Sequence, residues 1–376
     1  MALRDSLLLY GRMDGLVKMT NEGIQVSEVV HGGIDFAEMV ALGLNPDEVI
    51  DFSSNILPDG PSPMVYEAIQ KSRIDRYPDR QCTELVDTIS RVYGVEASRL
   101  LVGNGCCELI HLVASTFLKT DDQVLVIGPT FSEYERVSKL SGCKIVEVRC
   151  KWEEQFAVSD SRIGKALEQN KPKMVWLCNP NNPTGRSISS GQILSWLAMY
   201  PSTLFVIDES YIEFTESVPT IVREHHPNLI VLRSLTKLHA LAGLRLGFAV
   251  APADLTKEMR MRRIAWSVNT LAQAAGVAAL LDDAYYRSAL SRLHVAKHSM
   301  VSRLRGIGFM PIPSDTCFFL LQVPESNAVR QRILKSGLLV RSCDSFGMSG
   351  YIRVSVRTEF ENARLVDALI AYGCKS

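Results

Sequence analysis

The hydrophobic pattern changes character along the chain. Between about residues 75 and 251, short β-branched runs recur at 100–103, 123–127, 144–148, 174–178, 204–208, 229–232 and 246–251. Several are apolar almost throughout, as strands buried on both faces should be. The segments between them are long enough for crossover helices. The pattern therefore predicts a doubly wound α/β domain on a mostly parallel, seven-stranded sheet with helices on both faces. Beyond residue 251 the pattern predicts a long helix over 284–305, strands over 317–323 and 351–356, and a last helix over 359–372. These read as a second, smaller α+β domain, against which the loop-rich first fifty residues pack. The expected division is 1–50 as an N-terminal arm of the small domain, 51–265 as the large domain and 266–376 as the small C-terminal one. Sheets of this kind bind ligands beyond the carboxyl ends of their strands, so the residues after each run carry the functional reading.

Composition narrows the class. The chain has 376 residues, 47% hydrophobic and 22% charged, which excludes disorder, a collagen-like repeat and a coiled coil. Lys+Arg and Asp+Glu both number 41, so neither nucleic acid nor an anionic membrane is an expected partner. No apolar run approaches a membrane span. The nine cysteines are scattered without a C-x-x-C and read as free thiols of a reducing compartment. His294 and His298 could share a helix face, but no third ligand is near, so they read as two surface histidines and no metal is expected. Ser6–Tyr10 is too short for an export signal and Asp5, Asp14 and Glu22 argue against a transit peptide, so a cytoplasmic protein is expected.

Four strand ends stand out. The first run leads into Val102-Gly-Asn-Gly105-Cys106-Cys107, where glycines and a helix start make an anion cup, or simply a tight turn. The fourth leads into Asn179-Pro-Asn-Asn182-Pro-Thr-Gly185, a rigid polar loop. The fifth ends in Asp208-Glu-Ser-Tyr211. A carboxylate there is costly unless a positive group meets it, although Asp also caps helices. The sixth leads into Ser234-Leu-Thr-Lys237 and then Arg245. Lys237 is either an ordinary surface lysine or, partly removed from water, an amine able to form a Schiff base.

In this order the motifs resemble the fold-type-I pyridoxal 5′-phosphate (PLP) enzymes, the class I/II aminotransferase superfamily, from about His31 to the end of the chain. The resemblance implies that Lys237 carries the cofactor and that Asp208 pairs with its ring nitrogen. It implies that Tyr211 and Asn182 bind its phenolic oxygen and that Phe131 stacks on the ring. Gly105, Cys106, Cys107, Ser234 and Arg245 would hold the phosphate. Tyr77, in Arg76-Tyr-Pro, resembles the residue that reaches the neighbouring subunit's cofactor phosphate, which implies a homodimer with shared active sites.

Within the superfamily the chain is similar to L-threonine-O-3-phosphate decarboxylase of cobalamin biosynthesis and to histidinol-phosphate aminotransferase. Four segments favour the first: His31-Gly-Gly with Asp51-Phe-Ser-Ser-Asn55, Ala265-Trp-Ser-Val-Asn269, Arg341-Ser-Cys-Asp-Ser-Phe346, and Tyr351-Ile-Arg-Val-Ser-Val-Arg357. By that resemblance His31, Gly32, Asn55 and Asn182 contact the substrate, and Arg341 and Arg353 bind its anionic groups. The expected activity is decarboxylation of L-threonine O-3-phosphate to 1-amino-2-propanol phosphate, or of L-serine O-phosphate to ethanolamine phosphate. Histidinol-phosphate aminotransferase is the alternative, and a non-catalytic PLP-binding regulatory module is a remote one. Two departures stand against the pattern. Ile34-Asp35 follows His-Gly-Gly where the family has Asn, and Ala242 replaces the usual Pro before Gly-Leu-Arg.

Overall fold

A computed structural model describes residues 32–371 and 373. The strands are β1 (Ile50–Asp51), β2 (Leu100–Gly103), β3 (Gln123–Gly128), β4 (Lys144–Arg149), β5 (Met174–Cys178), β6 (Leu204–Asp208), β7 (Leu229–Ser234), β8 (Gly247–Val250), β9 (Phe318–Gln322), β10 (Leu338–Leu339), β11 (Arg341–Ser342) and β12 (Tyr351–Ser355). They form a seven-stranded sheet in the order β2-β8-β7-β6-β5-β3-β4, a three-stranded sheet β11-β12-β9, and the two-stranded pair β1-β10. In the large sheet every pairing is parallel except those of β8, which runs antiparallel to both β2 and β7.

Strand parity builds two cores from one sheet, because successive side chains point to opposite faces. Phe205, Ile207, Leu229 and Val231 enter one buried cluster. Val206, Ile230, Leu232 and Trp176 enter the other. The same parity puts Asp208 and Ser234 on the second face and Glu209 and Arg233 on the first. There Arg233 pairs with Glu213 at 2.7 Å and Glu209 at 3.4 Å, and Tyr93 Oη donates to Glu213 at 2.8 Å. This buried ionic knot ties the ends of β6 and β7 together. Removing one partner would leave a buried charge uncompensated, a cost of about 3–5 kcal/mol.

The helices follow their apolar spacing. Helix Asp283–Gly306 buries Tyr286, Ala289, Leu293, Met300 and Leu304, and Glu359–Ala371 buries Leu365 and Leu369, steps of three, four and seven residues that line one face. Helix Thr270–Leu281 starts where Asn269 accepts the Ala272 N–H at 2.8 Å. One reading is corrected: His294 is only 22% exposed and bonds the Phe214 carbonyl at 3.0 Å, so it packs rather than stands at the surface. Among the described residues no helix is long and apolar enough to cross a membrane.

Candidate active site

The carboxyl ends of the parallel strands converge on one cavity. Its walls include Cys106, Cys107, Phe131, Asn182, Asp208, Tyr211, Ser234, Lys237 and Arg245. These residues lie at or beyond the ends of β2, β3, β5, β6 and β7, and the fold brings them together. A contiguous cavity of about 320 Å³ shares Lys237, Tyr211 and Asn182 and adds Gly32, Ser53, Asn55, Arg341 and Arg353. His31 lies outside the described residues. Tyr77 is not in these walls: it is 78% exposed and stacks on Trp266 at 4.7 Å.

At one end of the cavity, helix Gly105–Phe117 begins without a side-chain cap. Its first N–H groups and the positive end of its dipole are open to an anion. Gly105 has φ +78°, and a Cβ there would lie 3.0 Å from Arg245 Nη2, so only glycine lets the guanidinium stand this close to the helix start. Ser234 Oγ lies 2.7 Å from Thr236 Oγ1 nearby.

At the other end Asp208 is buried. Its Oδ1 accepts from Ser210 N at 2.9 Å and Ser210 Oγ at 2.5 Å, and its Oδ2 accepts from Tyr134 Oη at 2.7 Å. Among the described residues no arginine or lysine donates to it. Burial pushes its pKa up, against these three hydrogen bonds and the more distant charge of Lys237. Tyr134 is held by stacking on Trp176 at 5.3 Å and 11°, and burial drives its own pKa well above the phenolic range, so the hydroxyl stays a donor. Between the two ends, Lys237 Nζ lies 5.6 Å from the Tyr211 ring centre. Asn55 Nδ2 donates to Tyr211 Oη at 3.3 Å, and Asn55 Oδ1 accepts from Ser355 at 2.9 Å.

Arg341 and Arg353 are directly opposed across the β11–β12 pair, an arrangement that like charges disfavour. Both are buried. Arg353 donates to Asn182 Oδ1 and to the Ser53 carbonyl, while its Nε has no partner among the described residues. Arg341 donates to Ser345 Oγ at 2.6 Å. Burial, and then the charge of Arg353, push the Arg341 pKa down to about 10. Two desolvated cations side by side form a site that an anion relieves. The loop opposite is set by Asp51, which accepts from Ser53 N at 2.7 Å and Ser54 Oγ at 2.6 Å, while Ser53 Oγ accepts from Gly33 N at 2.8 Å. A Cβ on Gly32 would lie 2.5 Å from the Ser53 carbonyl, so the approach of these two segments requires glycine.

Tyr134, Ser210, Thr236 and Ser53 were not among the residues expected here. Tyr134 stands three residues after Phe131 at the start of helix Glu133–Leu140, and the two rings meet edge to face at 5.7 Å. Ser210 follows Asp208 at the spacing of an Asx turn.

Fold and cavity together define a PLP-dependent enzyme of fold type I. The chain belongs to the aminotransferase class I and II family, whose model matches residues 47–369. It is 32% identical to histidinol-phosphate aminotransferase of Moorella thermoacetica over 88% of this chain and 87% of that protein. It is 30% identical to the adenosylcobalamin biosynthesis bifunctional protein CobDQ of Leptospira interrogans over 92% of this chain and 41% of that one. Among solved structures, L-threonine-O-3-phosphate decarboxylase from Porphyromonas gingivalis superposes with TM-score 0.77 at 26% identity, covering 85% of this chain and 98% of that one. Histidinol-phosphate aminotransferase from Sinorhizobium meliloti in complex with PLP superposes with TM-score 0.82 at 21% identity, covering 95% and 98%.

The cofactor is PLP, and the cavity fits it. An uncapped helix start with Arg245 suits a phosphate, a buried carboxylate lacking a cation suits a protonated ring nitrogen, and a lysine amine lies between them.

Proposed function

We propose that the chain is a PLP-dependent decarboxylase of a phosphorylated amino acid, acting on L-threonine O-3-phosphate or L-serine O-phosphate for cobamide biosynthesis. The observation that carries this reading is the opposed pair Arg341–Arg353 beside Lys237. These substrates bear one carboxylate and one phosphate, one anion for each guanidinium fork. The segments His31-Gly-Gly with Asp51–Asn55, Ala265–Asn269, Arg341–Phe346 and Tyr351–Arg357 favour the same branch, as does likeness to the Porphyromonas decarboxylase.

In this reading Lys237 Nζ is the amine to which the cofactor attaches. The N–H groups of 105–107, Ser234 and Arg245 bind its phosphate, and Asn182 and Tyr211 bind its phenolic oxygen. Phe131 covers the ring, and Asp208 holds a proton at the ring nitrogen. When bound, PLP supplies an electron sink for charge developing at the substrate Cα. The Arg353 and Arg341 forks, with Gly32 and Asn55, would hold and orient the substrate through its anionic groups. The Cα–carboxylate bond would break with loss of carbon dioxide, and Lys237 Nζ would return a proton to Cα, giving the phosphorylated amine. We also infer a homodimer in which Tyr77 reaches the neighbouring cofactor phosphate. The exposed Tyr77–Trp266 stack, with exposed Ile74 and Ile264, supports it.

The test mixes PLP-loaded protein with L-threonine O-3-phosphate and no keto acid. Many turnovers of 1-amino-2-propanol phosphate by mass spectrometry are expected, with L-serine O-phosphate tried next. The second reading is histidinol-phosphate aminotransferase, favoured by the Moorella relative's name. No amine product, together with histidinol phosphate converting the cofactor to its amine form, would establish it instead.

A further inference from the structure

Arg341, on β11, meets the turn that follows the strand. Residues Asp344–Phe346 form a short 3-10 helix after β11. Ser345 Oγ accepts from Arg341 Nη2 at 2.6 Å, and the Phe346 ring lies 5.6 Å from the Arg341 guanidinium. On the side of α-helix Ser326–Leu334 the turn is fastened by Asp344, which accepts from Ser326 Oγ at 2.6 Å and Asn327 Nδ2 at 2.5 Å. On the other side it faces a cavity of about 520 Å³, whose opposite wall includes Thr130, Phe131 and Ser132. Phe131, Ser132 and Phe346 also line the substrate cavity, so the turn and the Phe131 segment together divide the two spaces.

One side chain spans the gap. Arg149 ends edge strand β4, and its Nη2 donates to the carbonyls of Phe346 at 2.5 Å and Gly347 at 3.0 Å. Its Nη1 donates to Glu147 Oε1 at 2.9 Å, which holds the guanidinium plane toward the turn. A charged donor shared by two carbonyls is the stronger kind of hydrogen bond. We propose that Arg149 is a positioning residue: it ties the 344–347 turn to the edge of the large sheet, so that Ser345 and Phe346 hold Arg341 at the angle that binds the substrate anion. The geometry makes Arg149 act through Arg341, without touching cofactor or substrate.

This inference rests on the reading that Arg341 binds substrate. Its test is a double-mutant cycle of Arg149→Ala and Arg341→Ala in the PLP-loaded enzyme, using whichever phosphorylated substrate turns over. Arg149→Ala alone should raise KM about tenfold, the scale of one lost charge-assisted contact, with kcat within about twofold and the cofactor absorbance and melting temperature unchanged. Arg149→Lys, a cation without a fork, should fall between. In the Arg341→Ala background, Arg149→Ala should add nothing to KM. An unchanged KM in Arg149→Ala, or an equal increase in both backgrounds, overturns the inference and leaves the substrate reading intact. An unchanged KM in Arg341→Ala overturns both.

Discussion

Tyr134→Phe isolates one hydrogen bond at the buried carboxylate. Phenylalanine keeps the stack on Trp176 and removes only the hydroxyl that donates to Asp208 Oδ2 at 2.7 Å. A hydrogen bond to a charged group is worth roughly 1.5–3 kcal/mol. Its loss pushes the Asp208 pKa further up, in the direction burial already drives it. The carboxyl then competes with the ring nitrogen for the shared proton. The ring nitrogen is less fully protonated, and kcat at saturating PLP falls about tenfold or more. The pH dependence of PLP affinity supplies a readout apart from activity: its midpoint should move up. A kcat within twofold of wild type and an unmoved midpoint would show that the hydroxyl is not coupled to Asp208.

Three further outcomes follow from the same cavity. Asp208→Asn should leave the apoenzyme as stable as wild type, or more so, at neutral pH. Because the folded pKa lies above the ordinary value of 3.8, the folded state binds the extra proton and stability falls as pH rises through the folded pKa; melting curves of apoenzyme across pH test this, while PLP affinity should drop. Arg353→Lys keeps the charge but loses the planar fork that spans Asn182, Ser53 and an anion, so kcat/KM should fall by about 10- to 100-fold with little change in cofactor absorbance; steady-state kinetics decide it. Lys237→Ala should retain PLP through the Arg245 end, yet leave no pyridoxyl label on the protein after borohydride reduction, which peptide mass spectrometry detects.

The elements that the sequence made legible are those whose pattern is local. The run at 204–208 is apolar as far as Ile207 and is a strand over all of those residues. Ser234 and Gly128 extend their strands beyond the apolar runs because a neighbouring strand supplies their hydrogen bonds. The β1–β10 pair was not legible, since two residues carry no periodicity and their partners lie far apart in the chain. The candidate site divides in the same way. Gly105, Asn182, Asp208, Lys237 and Arg245 stand in motifs with short spacings. Tyr134 contacts Asp208 across 74 residues, and the face-to-face placement of Arg341 and Arg353 depends on strand register, which no local spacing records.

The reversed direction of β8 has a consequence for how the cofactor's fastenings are linked. Had β8 run parallel, the chain leaving β7 at Ser234 would have crossed to the far end of the sheet before returning. Instead Ser234 and Gly247 face each other, and residues 235–246 make a short out-and-back excursion that carries both Lys237 and Arg245. On the proposed function, the lysine that would carry the cofactor and the guanidinium that would bind its phosphate are thus one cassette, moved together by any change in that loop. The carboxylate at the far end of the ring sits on a different strand, so lengthening the cassette would slide the cofactor's anchors relative to Asp208 without disturbing their spacing from each other.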